Sequence, residues 1–371
     1  MIVKLNKSEK EKCEKLLKVK ECNISAAEIY IDYLNNHYND ITKFDIELLS
    51  KKYDINTSFY KAFLKKLDID EKDEEYIEIN NVCHLSKIKK LDENEYLDDE
   101  YYKVIGKLNI NDDRYKLATL KYLPFEGFTY DELDVDNSFY GERTPIGFFD
   151  KEFPYLALLE NNTIWMSVVP HEINTMKKAI KDAKGSVLVL GLGLGYYVFN
   201  IAKKKEVNKI TIIEKDKNIV NLFNKHLLNK FPHQEKINII HADGIEYLGS
   251  TNNYDFVFVD IYHNVGDGEM LYLKVKDKER YHPNTTFSYW IEDSIVAMLR
   301  RQLLTIYEEN LEGFKEEDYL KAKNENDKII NALYKLTKKY VVDSFESLHT
   351  LLEGENIKKI AKDVYKEINN E

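Results

Sequence analysis

The chain has 371 residues, 43% of them hydrophobic and 32% charged, with a formal net charge of −11. That is enough apolar material for two or three ordinary cores, and the acidic balance predicts a soluble chain that repels nucleic-acid phosphates unless a local basic patch intervenes. No stretch approaches the roughly eighteen apolar residues of a membrane span, the lysine-rich start lacks the apolar core of a signal peptide, and Cys13, Cys22 and Cys83 show no metal spacing, so the cytoplasm is the expected compartment.

Residues 1–125 read as a mostly helical domain. Ser25-Ala26-Ala27-Glu28 has the form of a capping box and predicts a helix opening there and running through Tyr38. Lys43 to Lys52 and Ser58 to Leu67 are two further amphipathic stretches joined by Asp54-Ile55-Asn56. The pair has helix-turn-helix form, but its mixed charge and the acidic run Asp68 to Glu75 favour an ordinary helical hairpin over a DNA reader. Asp92 to Glu100 is a second acidic, solvated stretch. Residues 126–170 read as a β-hairpin segment, with Tyr155 to Leu159, an Asn161-Asn162 turn and Thr163 to Met166, ahead of a polar His171-Glu172 and a helix.

Residues 171–300 carry the most informative pattern. The apolar run Val187 to Leu190 stops on Gly191, Gly193 and Gly195, and Tyr196 to Lys203 follows at helical period: strand, tight turn, helix. Glycine lets the backbone approach a ligand, and a helix start offers free N–H groups to polar ligand atoms. Tyr196 stands where a dinucleotide-binding turn wants its last glycine, and no Gly-Lys-Ser/Thr is present for a P-loop. A second short run, Lys209 to Ile213, ends on Glu214, nineteen residues after Gly195, where a carboxylate can accept both hydroxyl protons of a ribose. A third, Ile237 to Ile240, leads to Asp243-Gly244, where the acid either accepts from an adenine amino group or caps the next helix. The fourth, Asp255 to Val259, ends on Asp260, followed by Tyr262 and His263. Four strands ending in polar residues predict an α/β, doubly wound parallel sheet with its ligand at the carboxyl edge. Asp260, His263 and Asp267 do not have the spacing of a metal site, and none is expected.

These four motifs, in this order, resemble the spermidine-synthase-like branch of the class I S-adenosylmethionine-dependent methyltransferase superfamily, over roughly residues 140 to 270. The resemblance implies a Rossmann-like domain of that type. It makes Gly191, Gly193, Gly195, Glu214, Asp243 and Gly244 candidate ligands of S-adenosyl-L-methionine, and Asp260, Tyr262 and His263 candidate catalytic groups. Two positions depart from the aminopropyltransferase pattern: Leu194 stands for a glycine-loop acid, and His263 for the second acid of Asp-x-x-Asp. Losing two carboxylates removes much of what holds a polyamine cation, so the expected activity is methyl transfer to a small or unidentified acceptor. Aminopropyl transfer and non-catalytic nucleoside binding remain as alternatives. No membrane or nucleic-acid partner is expected, and assembly into a homo-oligomer is left open.

Beyond the fourth strand, Tyr281-His282-Pro283-Asn284 reads as a loop and Trp290, Ile291, Ile295, Met298, Leu299 and Leu303 as the stripe of a long helix. Tyr281, Phe287, Tyr289 and Trp290 read as core more than as an acceptor wall. Residues 301–371 look helical apart from Tyr340-Val341-Val342, so the rest of the sheet is expected to be truncated or replaced by helices.

Overall fold

Apolar runs with no polar alternation make strands that can be covered on both faces, the condition for a parallel sheet. In the computed structural model, which describes residues 1–112, 114–251, 253–314, 319 and 324–370, five strands form one sheet around two central runs of this kind. They are Gly185–Leu190, Val207–Glu214, Ile237–His241, Phe256–Val259 and Thr286–Tyr289, all parallel, in the spatial order third, second, first, fourth, fifth. Val187, Leu188, Leu190 and Val259 are fully buried in its middle. The order reverses between the first and fourth strands, and at such a switch point the connections leave in opposite directions and open a crevice at the carboxyl ends.

The fifth strand corrects the expectation that nothing follows the fourth. Thr286-Phe287-Ser288-Tyr289 pairs residue for residue with Phe256–Val259, so Phe287 and Tyr289 sit on the sheet. Four residues directly before a long apolar stripe carry too little period to be separated from it. The helix itself spans Glu292–Glu312, and Ile291, in the left-handed region at φ 46°, is the corner before it.

Upstream, one helix runs from Lys7 to Asp32, capped by the Asn6 side chain, which accepts the Glu9 N–H at 3.0 Å. No helix opens at Ser25: neither Gly nor Pro interrupts the sequence from Lys7 on, so a capping-box pattern lies inside a continuing helix. Helices Lys43–Leu49 and Ile55–Lys66 form the hairpin pair. Phe59 and Phe63 of the second are fully buried, and Phe59 stacks on Phe148 at 4.1 Å, so its apolar face is committed to a small core of its own.

The hairpin Phe153–Glu160 and Thr163–Val168 turns through Asn161 and Asn162 at φ 52° and 63°, the left-handed pair of a two-residue turn. It joins Tyr115–Tyr122 and Ile110–Asp112 in a four-stranded antiparallel sheet, so these residues, read above within the mostly helical region, are strands. Ile2–Val3 pairs in parallel with Val341–Val342, tying the two ends of the described chain together. The tail is helical over Glu325–Thr337, Phe345–Leu352 and Gly354–Ile368, while 315–318, 320–323 and 371 lie outside the described residues. No helix among the described residues is long and apolar enough to cross a membrane.

Candidate functional site

Strand ends and glycine loop meet at the switch point. The Asp260 N–H donates to the Leu190 carbonyl at 2.9 Å, which draws the ends of the first and fourth strands together. Gly191 turns there at φ +91°, and a Cβ on it would lie 1.8 Å from the Asp260 carbonyl oxygen, so no larger residue fits. Gly193, at φ +53°, is different: a Cβ there meets nothing within 4 Å, because this residue borders open space. That space is a cavity of about 860 Å³.

Gly191, Gly193, Gly195, Glu214, Asp243, Gly244, Asp260, Tyr262 and His263 all line this one cavity. Glu214 clasps the loop: its two carboxylate oxygens accept the N–H of Leu192 at 3.1 Å and of Asp216 at 2.7 Å. Each oxygen keeps a lone pair for a further donor such as a ribose hydroxyl. Asp243 is both a lining residue and a helix cap, accepting the N–H groups of Ile245 and Glu246 at 2.9 and 3.1 Å while its other oxygen meets Lys215 Nζ at 3.1 Å. Burial works against its charge, but the Glu246 amide and the Lys215 ammonium outweigh it and hold the acid below its ordinary range.

The opposite end of the cavity is acidic in another way. Asp260 is pushed well above the usual carboxylate range, first by burial and then by the nearby carboxylates of Glu172 and Glu214, with no offsetting cation or donor among the described residues. Glu172 comes from the first turn of helix Pro170–Asp182. Such an arrangement favours either a proton or a bound cation.

Tyr262 is a wall. Its ring is 5% exposed, and its hydroxyl donates to the Trp290 carbonyl at 2.5 Å, which leaves that O–H committed to holding the chain. His263 stands at the mouth with its side chain 57% exposed, Nδ1 2.9 Å from Asp267 Oδ2 and its ring edge-on to Trp165 at 5.1 Å. Asp267 also accepts the N–H groups of His263 and Asn264.

Sequence reasoning missed Glu172, Asp216, Trp165 and Met166 among the lining residues, and ranked Trp290, which also lines the cavity, as core. Asp216, two residues past Glu214, also accepts from the Tyr115 hydroxyl at 2.9 Å and ties the antiparallel sheet to the site. The Pro170-His171-Glu172 corner was visible as a polar break before a helix, the one signal that pointed toward Glu172.

Residues 168–285 match the sequence model of the family described as the spermine/spermidine synthase domain. A polyamine aminopropyltransferase of Clostridium botulinum (strain Eklund 17B / Type B) is 27% identical over 157 residues, 38% of this chain and 54% of that protein. One from Methanocaldococcus jannaschii is 34% identical over 92 residues, 24% of this chain and 31% of that protein. A solved spermidine synthase from Thermotoga maritima superposes with a TM-score of 0.28 at 16% identity, covering 40% of this chain and 59% of that one. The chain thus spans about half the length, or less, of the curated relatives it is compared with.

These matches overturn methyl transfer as the activity and S-adenosyl-L-methionine as the cofactor, while the spermidine-synthase-like part of the resemblance agrees with them. Positions 194 and 263 carry no carboxylate, whereas the fold brings Glu172 into the same cavity as Asp260. Residues 168–285 are similar to the spermine/spermidine synthase domain and hold the first four strands of the five-stranded α/β sheet.

Proposed function

We propose that this chain is an aminopropyltransferase, which moves the 3-aminopropyl group of decarboxylated S-adenosylmethionine to an amine. The observation that carries the reading is that Asp260 and Glu172 line the same cavity, while its lining lysines, Lys215 and Lys217, belong to the Glu214 end. A donor that kept its carboxylate would bring a further negative charge to these acids, at about 4 kcal/mol per like-charged pair 4 Å apart near a protein surface. Decarboxylation leaves an ammonium there instead. The names of the relatives point the same way.

In this reading Glu214 accepts the ribose hydroxyls, Asp243 and Gly244 border the base, and the sulfonium lies over Gly193 facing Asp260. The acceptor's neutral nitrogen attacks the methylene carbon next to sulfur. The C–N bond forms, the C–S bond breaks with its electron pair going to sulfur, and 5′-methylthioadenosine leaves. The nitrogen's surplus proton passes to the Asp260 carboxylate, whose raised acid makes it a competent base. Much of the rate comes from holding the two reactants in line.

The test is release of 5′-methylthioadenosine by the purified chain given decarboxylated donor and a panel of primary amines. Release is expected with that donor and not with S-adenosylmethionine. Donor binding without release for any amine overturns the reading.

A further inference from the structure

We propose that the acceptor is a primary monoamine with an apolar or aromatic body, and that Trp165 and His263 select it against diamines; this rests on the aminopropyl-transfer reading. Away from the glycine loop, the cavity is lined by Trp165, Met166, Val168, Met176, Leu271 and Trp290. The carboxylates lining that half are Glu172 and Asp260. Both are matched by the donor, which brings a sulfonium and an ammonium, while the reacting acceptor nitrogen must be neutral. A diamine would carry a second ammonium about four methylenes further out.

Among the described residues, no carboxylate besides Glu172 and Asp260 lines that half. Trp165 is 38% exposed at the mouth, and the His263 ring already stands against it, so a cation over the indole would have to displace an imidazole. The Asp267 carboxylate is taken by the His263 ring and by two backbone N–H groups. Glu132 and Glu292 do not line the cavity: Glu132 accepts the Ser294 N–H at 3.0 Å, and Glu292 pairs with Lys276 at 2.9 Å and Lys358 at 3.3 Å. An ammonium in this half would lose water and gain no counter-charge, whereas an aromatic or branched tail would gain contact with Trp165 and Met166.

The experiment compares kcat/KM for 5′-methylthioadenosine release with decarboxylated donor and either 2-phenylethylamine, 3-methylbutylamine or 1,4-diaminobutane. The monoamines are expected to exceed the diamine at least tenfold. Trp165→Ala should lower kcat/KM for 2-phenylethylamine at least tenfold, mainly through KM. His263→Asp combined with Asp267→Asn, which places a free carboxylate at the mouth, should raise kcat/KM for the diamine at least tenfold. A wild-type preference for 1,4-diaminobutane overturns this inference and leaves aminopropyl transfer standing. Monoamine preference unmoved by Trp165→Ala overturns the assignment of the residues. Calorimetric donor binding with no release for any amine overturns both readings together.

Discussion

Gly191 and Gly193 sit two residues apart in one loop, yet replacing each by alanine should damage different properties. At Gly191 a Cβ would stand 1.8 Å from the Asp260 carbonyl oxygen, so the first and fourth strand ends must part by more than an ångström, at the expense of the 2.9 Å bond from Asp260 to Leu190. Positive φ costs an L-residue about 1–2 kcal/mol, and forcing an extra methyl into a packed site about 1–3 kcal/mol, so Gly191→Ala should lose about 2–5 kcal/mol of stability. Gly193→Ala meets no neighbour within 4 Å and bears only the conformational term, about 1–2 kcal/mol. Its methyl would instead stand at the cavity wall where a ligand has to approach, so 5′-methylthioadenosine affinity should fall about tenfold, roughly 1.4 kcal/mol. Urea denaturation reads the first effect and calorimetry the second. A Gly191→Ala protein within about 1 kcal/mol of the wild type, or a Gly193→Ala protein less stable than Gly191→Ala, would overturn the steric assignment of the two glycines.

Asp260→Asn should lower turnover by about a hundredfold or more, because the base is gone, while the folded chain keeps its far-ultraviolet circular dichroism. Because burial and the Glu172 and Glu214 carboxylates raise the Asp260 acid in the folded chain, its contribution to stability is full below the ordinary carboxylate range and lost as pH rises above it. Asp260→Asn should therefore raise the melting temperature of the ligand-free protein at pH 8 and not at pH 4, as differential scanning calorimetry would read. Glu214→Ala should weaken donor binding by about 2 kcal/mol and also cost stability, since the Leu192 and Asp216 N–H groups lose their acceptor; an unchanged ligand-induced melting shift would remove Glu214 from the donor site. Arg301→Leu leaves the Glu142 carboxylate, 3% exposed, without its guanidinium partner and should cost about 3 kcal/mol in urea denaturation.

The strand, glycine turn and helix from Val187 to Lys203, and the acids at Glu214, Asp243 and Asp260, could be read along the chain because periodicity and turn chemistry are local properties. The Asn161-Asn162 turn was readable for the same reason, since few other residue pairs take positive φ twice. Four-residue Thr286–Tyr289 was not: its pairing with Phe256–Val259 is a contact between segments, and an isolated stretch that short carries no distinguishing period. The acidic end of the cavity lay further out of reach. Glu172 acts on Asp260 from 88 residues away, and Trp165 meets His263 across 98, distances over which no spacing rule operates. The letters at 194 and 263 show two carboxylates lost, while helix Pro170–Asp182 brings Glu172 from elsewhere in the chain into the same cavity. Local chemistry wrote the cradle into the sequence; which charge faces it was decided by how the elements pack, because electrostatic neighbourhood is a property of space and not of order along the chain.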